Sequence, residues 1–327
     1  MTDSLLQAYL PLLVWTGLGL FLVRFLPESL PRLLGRGLYW VGVPLEILAL
    51  ARQTQFSAQV GLAPVLTIAT LIGGLGLAWL SLQAVRQQSA LPSEAAEDLE
   101  KPGLTAVDPW QDRSRRGSFI LSSIMGNTGF VGLAIAPAFV DPAHTSWLVL
   151  YSVTQNVVGT YGMGVFLASY YGRSLQTRHW IVQMKDVLTV PSLWAFAIGS
   201  ATRAVVLPEA IDWGLQASVW VVIPAALLLM GMRVSQLRGW DSLKLAIFPT
   251  LTKVLVLPLL VALLSTAIGL TGDDRLALVL MAGMPSAFAG LILAEEYELD
   301  RELIASSIVL TTAMLLPTIP LWLALFG

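Results

Sequence analysis

Ten apolar runs leave this chain little freedom of fold. They lie at residues 5–26, 34–52, 59–85, 116–139, 145–171, 186–206, 211–233, 242–270, 275–297 and 303–326. Each is long enough to cross a hydrocarbon core of about 30 Å. A backbone in hydrocarbon must satisfy its own polar groups, and single runs of this length do so as helices. The expectation is an all-α, polytopic protein with ten transmembrane helices. A mean hydropathy of +0.73 and a charged fraction of 12% suit that class and not a soluble domain. The first run is expected to stay in the protein, because no Lys or Arg precedes Arg24 to form a signal-peptide head.

The basic residues set an orientation. With the N-terminus outside, fifteen of the nineteen Lys and Arg fall in inner loops, among them Arg32, Arg36, Arg113, Arg115 and Arg116. The outer loops hold only Arg52, Arg203 and Arg275, and Lys253 lies inside a run. Basic residues favour the cytoplasmic side. The expectation is a multi-pass cell-membrane protein with both termini outside. Residues 86–115 read as a flexible cytoplasmic loop, acidic at Glu94, Glu97, Asp98 and Glu100.

Several chemistries drop out early. The chain has no Cys, which removes disulfides, thiol catalysis and Cys-held metals. His144 and His179 are its two imidazoles, and both read as loop residues. No paired intramembrane Asp or Ser/His set is evident, so an intramembrane enzyme is not expected. No continuous polar stripe suggests a channel. No cofactor, no metal and no nucleic-acid partner is expected.

Two apolar runs carry helix breakers at matching places. Residues 125–136 read MGNTGFVGLAIA and residues 283–294 read GMPSAFAGLILA. Phe130 aligns with Phe288, Gly132 with Gly290, Leu133 with Leu291 and Ala136 with Ala294, and Asn127 falls opposite Pro285. Weaker matches follow in the same order: Val41–Pro44 with Val221–Pro224, and Pro64–Thr67 with Pro249–Thr252. Halves of five spans each must insert with opposite orientation. The division expected is a first repeat over 1–171, a short cytoplasmic linker over 172–185 and an inverted second repeat over 186–327. Paired interrupted spans in two halves point to the substrate site of a secondary transporter. The bland reading is two helices packed through small residues.

The GNTGFVGL and MPSAFAGLILAEEY segments, with the ten-span plan, resemble the auxin efflux carrier family. The likeness covers the chain in plan, and its specific residues lie mainly at 123–137 and 281–297. It implies a bile-acid-symporter-like fold with two crossing broken helices, moving a small organic anion such as malate or an auxin-like acid by alternating access. The sequence departs from the plant members in lacking a long loop between spans five and six, and in having Asn127 where a proline stands at the first break.

A broken helix frees N–H groups at one new end and C=O groups at the other. The first end favours carboxylates and the second favours cations. Gly126, Asn127, Thr128 and Gly129, with Met284, Pro285 and Ser286, are therefore the candidate substrate-binding residues. Glu46 and Lys253 are charged residues inside spans and candidates for coupling. Glu46 is either a proton carrier or a satisfied structural group. Lys253 either attracts an anion or snorkels to an interface. Gln155 and Asn156 read chiefly as interhelical hydrogen-bonders. Expected partners are the bilayer, a small organic anion and a proton, with a homodimer left open. A sodium-coupled symporter of the bile-acid type is the alternative.

Overall fold

The computed structural model describes residues 2–27, 29–53, 59–90, 109–172, 180–235 and 241–327. The acidic stretch 94–100, His179 and several loop arginines lie outside these residues. Among the described residues the regular structure is all helical, with no strand.

In order, the helices are α1 Thr2–Leu22, α2 Leu30–Gly37, α3 Val43–Gln53, α4 Leu62–Ala90, α5 Arg113–Ile124, α6 Leu133–Ile135, α7 Thr145–Thr154, α8 Val165–Gly172 and α9 Trp180–Leu188. Then come α10 Pro191–Thr202, α11 Glu209–Val234, α12 Asp241–Leu245, α13 Ile247–Leu251, α14 Leu257–Ala267, α15 Gly272–Ala282, α16 Ala289–Glu296 and α17 Arg301–Phe326. Five uninterrupted stretches are long and apolar enough to cross a membrane: Leu30–Arg52, Leu62–Gln87, Glu209–Val234, Ser242–Ala267 and Arg301–Phe326. A sixth is the pair α9 and α10, bent by 56°. The protein is thus a polytopic helical membrane protein.

Two connectors are shorter than in the sequence reading. The expected loop 86–115 is helical at both ends, because α4 runs to Ala90 and α5 starts at Arg113. Asp112 caps α5 by accepting from the Ser114 N–H, so the helix starts three residues early. The expected linker 172–185 ends in helix, since α9 starts at Trp180. The chain then kinks at Val190, whose extended backbone is what a residue before proline adopts.

Four stretches are wide π-turns: Leu38–Gly42, Thr128–Gly132, Gln155–Gly164 and Thr252–Val256. Two have a plain cause. A proline ring clashes with the carbonyl four residues back. Pro44 faces Trp40 in this way and Pro258 faces Val254, each inside the widened turn.

Packing sorts the helices into two groups. α1 lies along α11, and α3 packs on both α10 and α11. The close approach of α1 to α11 needs Gly19 and Gly231, since a Cβ at either would overlap a carbonyl of the facing helix. α4, α5, α7, α8, α14, α15 and α17 pack on one another.

Six polar cross-links near helix ends fall into two sets, one at each end of the bundle. At one end Arg233 pairs with Glu295 at 2.7 Å, Arg115 with Asp300 at 2.8 Å, and Ser242 bonds Glu302. At the other, His144 meets Asp274 at 2.5 Å, the Asp141 N–H donates to Asp273, and Arg52 donates to the Val205 carbonyl. Every pair joins segments expected on the same side of a membrane.

Candidate functional site at the crossing breaks

The first break opens after α5. Met125 is extended, and Asn127 (φ −79°, ψ 61°) leads into the wide turn Thr128–Gly132. The second opens after α15, with Gly283–Phe288 unwound before α16. The two unwound segments run antiparallel and bond each other. The Asn127 N–H donates to the Pro285 carbonyl at 2.7 Å, and the Ala287 N–H donates to the Met125 carbonyl at 2.9 Å. Gly126 and Ser286 face each other in this short ladder. Each break thus supplies what the other lost, as a buried backbone requires.

Two more carbonyls of the α5 end take neutral donors. Ser286 Oγ donates to the Ser122 carbonyl at 2.7 Å, and Gln155 Nε2 to the Ile124 carbonyl at 3.1 Å. At the α15 end the Lys253 ammonium donates to the Ala282 carbonyl.

A small pocket of about 20 Å³ lies where the breaks meet α3. Glu46, Gly126, Asn127, Gly129, Asn156 and Tyr161 line it, closed by Phe130 and Phe288. Glu46 is 2% exposed, and its Oε1 has no hydrogen-bond partner. Gly129 lets this carboxylate come close: a Cβ there would sit 3.4 Å from Glu46 Oε1 and 3.1 Å from Asn156 Nδ2. Gly129 belongs to the opening turn of the new half-helix, whose first N–H groups have no acceptor within it. The Glu46 carboxylate therefore stands at the positive end of a helix dipole.

A larger cavity of about 530 Å³ opens towards the Arg233 end, with Arg32, Arg36, Tyr39, Asp186 and Glu296 in its wall. Tyr39 faces this cavity while its ring packs edge-on against Tyr161 at 5.7 Å. Tyr161 lines the small pocket. The tyrosine pair stands between the two spaces, one ring in the wall of each.

The candidates from sequence do not all meet here. Gly126, Asn127, Gly129 and Glu46 share the pocket. Thr128 is fully buried and its Oγ1 has no partner. Met284 packs against Gly132. Pro285 gives its carbonyl to Asn127, and Ser286 turns away to Ser122 and Thr311. Lys253 is buried at the crossing, against Ala282 and Gly126, and not at an interface. Gln155 makes the interhelical bond expected of it, whereas Asn156 lines the pocket. Tyr161, Ala287 and Ala289 also line it and were not candidates. Phe130 and Phe288 were visible as the aligned aromatics of the two breaks.

A family model described as membrane transport protein matches residues 111–323, which take in both breaks. The chain belongs to this family, the auxin efflux carriers. This auxin efflux carrier family member is similar to an uncharacterized transporter of Methanocaldococcus jannaschii, 26% identical over 63% of this chain and 67% of that one. It is also similar to an uncharacterized transporter of Methanothermobacter thermautotrophicus, 24% identical over 64% of this chain and 68% of the other. These names describe transporters, not enzymes.

Proposed function

We propose that the chain is a secondary carrier of small organic anions, such as malate or an auxin-like acid, working by alternating access. The substrate binds at the crossing breaks in a wider state than this one, whose pocket of about 20 Å³ has room for little more than a water. In this reading residues 1–171 and 186–327 are inverted five-helix repeats joined by 172–185, and ten spans cross the cell membrane. The separation of polar cross-links into two end sets supports that count of crossings.

One observation carries the substrate class. The pocket already holds a carboxylate, that of Glu46, against the opening turn at Gly129. A half-helix N-terminus suits a carboxylate. Asn127 and Asn156 add amides that bond a carboxylate in any of several poses. Entry of a substrate carboxylate beside Glu46 brings two like charges together. The repulsion is relieved when Glu46 takes a proton or swings away, so anion binding and proton binding are linked.

The test is flux in proteoliposomes. Malate and an auxin-like acid are supplied with and without a proton gradient, and with sodium replaced by N-methylglucamine. Saturable anion flux with counterflow, accelerated by the proton gradient, is expected. Flux that never saturates overturns the carrier reading, and transport of cations alone overturns the substrate class.

A further inference from the structure

We infer that Lys253 is a tethered cation, filling a place that an exchangeable coupling ion would otherwise take. Unwound carbonyls and the C-terminal ends of half-helices are where broken-helix carriers hold sodium or a proton. Here that end is the last turn of α15, and its Ala282 carbonyl receives the Lys253 ammonium. The side chain is 2% exposed. Its Nζ and Cε lie against Gly126 of the other break, where a Cβ would come within 3.2 Å and 3.3 Å of them. The ammonium thus sits between the end of α15 and the unwound segment at Gly126.

A charge is not needed merely to satisfy a carbonyl. The equivalent end of α5 is satisfied by the amide of Gln155 and the hydroxyl of Ser286. A buried ammonium carries a desolvation cost that those neutral donors avoid. What it adds is a fixed positive charge at the negative end of a helix dipole. The arrangement is not duplicated by the repeat. Aligning Thr67 with Thr252 places Ile68 opposite Lys253, and Ile68 is on the surface. The wide turn Thr252–Val256 ahead of Pro258 is the local device that presents the lysine.

The consequence is a carrier that needs no sodium. That consequence rests on the carrier reading; the cation position itself does not. The experiment is therefore thermal melting of purified protein, followed by tryptophan fluorescence, which requires no known substrate. Sodium, methylammonium and N-methylglucamine chlorides are compared at equal ionic strength. Wild type is expected to melt at one temperature in all three. Lys253→Ala is expected to melt several degrees lower in N-methylglucamine, and to recover in methylammonium or sodium, which are small enough to enter. Lys253→Met fills the space without charge and is expected to respond to no cation. Sodium stabilisation of wild type overturns the inference, as does an Ala variant indifferent to cation or a Met variant that sodium rescues. Should Lys253→Ala be recoverable only when methylammonium or sodium is present during purification, the inference stands. If it is unrecoverable in every cation, the lysine is structural only.

Discussion

The backbone N–H of Asn127 donates to the carbonyl of Pro285 across 2.7 Å, joining the two residues that fall opposite each other when the interrupted segments are aligned. Asn127 commits its backbone to the ladder, while its side chain caps no helix and lines the pocket. Asn127→Ala keeps the ladder and removes an amide from the pocket. A lost hydrogen bond is worth about 1 kcal/mol, or roughly five-fold in affinity. Weaker anion binding by about that factor, measured by flux KM or thermal shift, is the expected result. Pro285→Ala acts on the backbone instead. It restores an N–H and lets helix continue across the break. Inserted protein with transport nearly gone is expected. Normal transport in both variants would remove the crossing from the mechanism.

Glu46→Gln keeps the shape of the side chain but cannot cycle a proton. Anion exchange is expected to survive, while acceleration by a proton gradient is lost. Gly129→Ala should damage both. Its methyl would press on the Asn156 amide at 3.1 Å and sit in contact with the Glu46 carboxylate at 3.4 Å. Proteoliposome flux at matched protein density reads both outcomes. Wild-type gradient dependence in Glu46→Gln would place coupling elsewhere.

At the far end, His144 meets Asp274 in a connector outside the spans. The hydrogen bond to Asp274 raises the imidazole above its ordinary 6.5; burial opposes it, and the charges of Asp274, Asp273 and Asp141 add to the rise. A raised folded-state value means the stabilisation is fully present below pH 6.5 and fades as pH climbs through the folded value. The pair is part exposed, so it contributes about 1 kcal/mol at most. The melting-temperature gap between wild type and His144→Gln should be largest in acid and close in alkali. A gap that does not change with pH would mean that the imidazole acts only by packing.

Sidedness is open to direct labelling, because the native chain has no Cys. Ala143→Cys lies at the His144 end and Ser242→Cys at the Arg233 end. An impermeant thiol reagent on intact cells should modify the first and spare the second. The reverse pattern would invert the orientation.

How much of this was legible beforehand depended on the kind of signal. Breaks show in sequence because Gly126 and Pro285 resist helix anywhere, and Phe130 with Phe288 marked one pocket wall. Glu46 stood out because charge within an apolar run is costly. The facing of each side chain at a break was not legible. Backbone angles at Met125 and Asn127 turn Thr128 into the core, and the ladder turns Ser286 away from the pocket. Nor was the wide turn Gln155–Gly164, which carries Asn156 and Tyr161 inward. Its three glycines read equally well as helix-packing residues. The partner of Lys253 lies in a different run, beyond the reach of any local pattern.

The contact of α1 with α11 bears on what can move. Thr16 and Leu228 present carbonyls to the facing glycines, so the helices meet backbone to backbone at two points. Neither can rotate or slide past the other without collision. Together they are a single plank, and α3 is fastened to its α11 edge. Glu46 rides on that plank while Gly129 does not, so each transport cycle would show itself first as a change in the distance between those two residues.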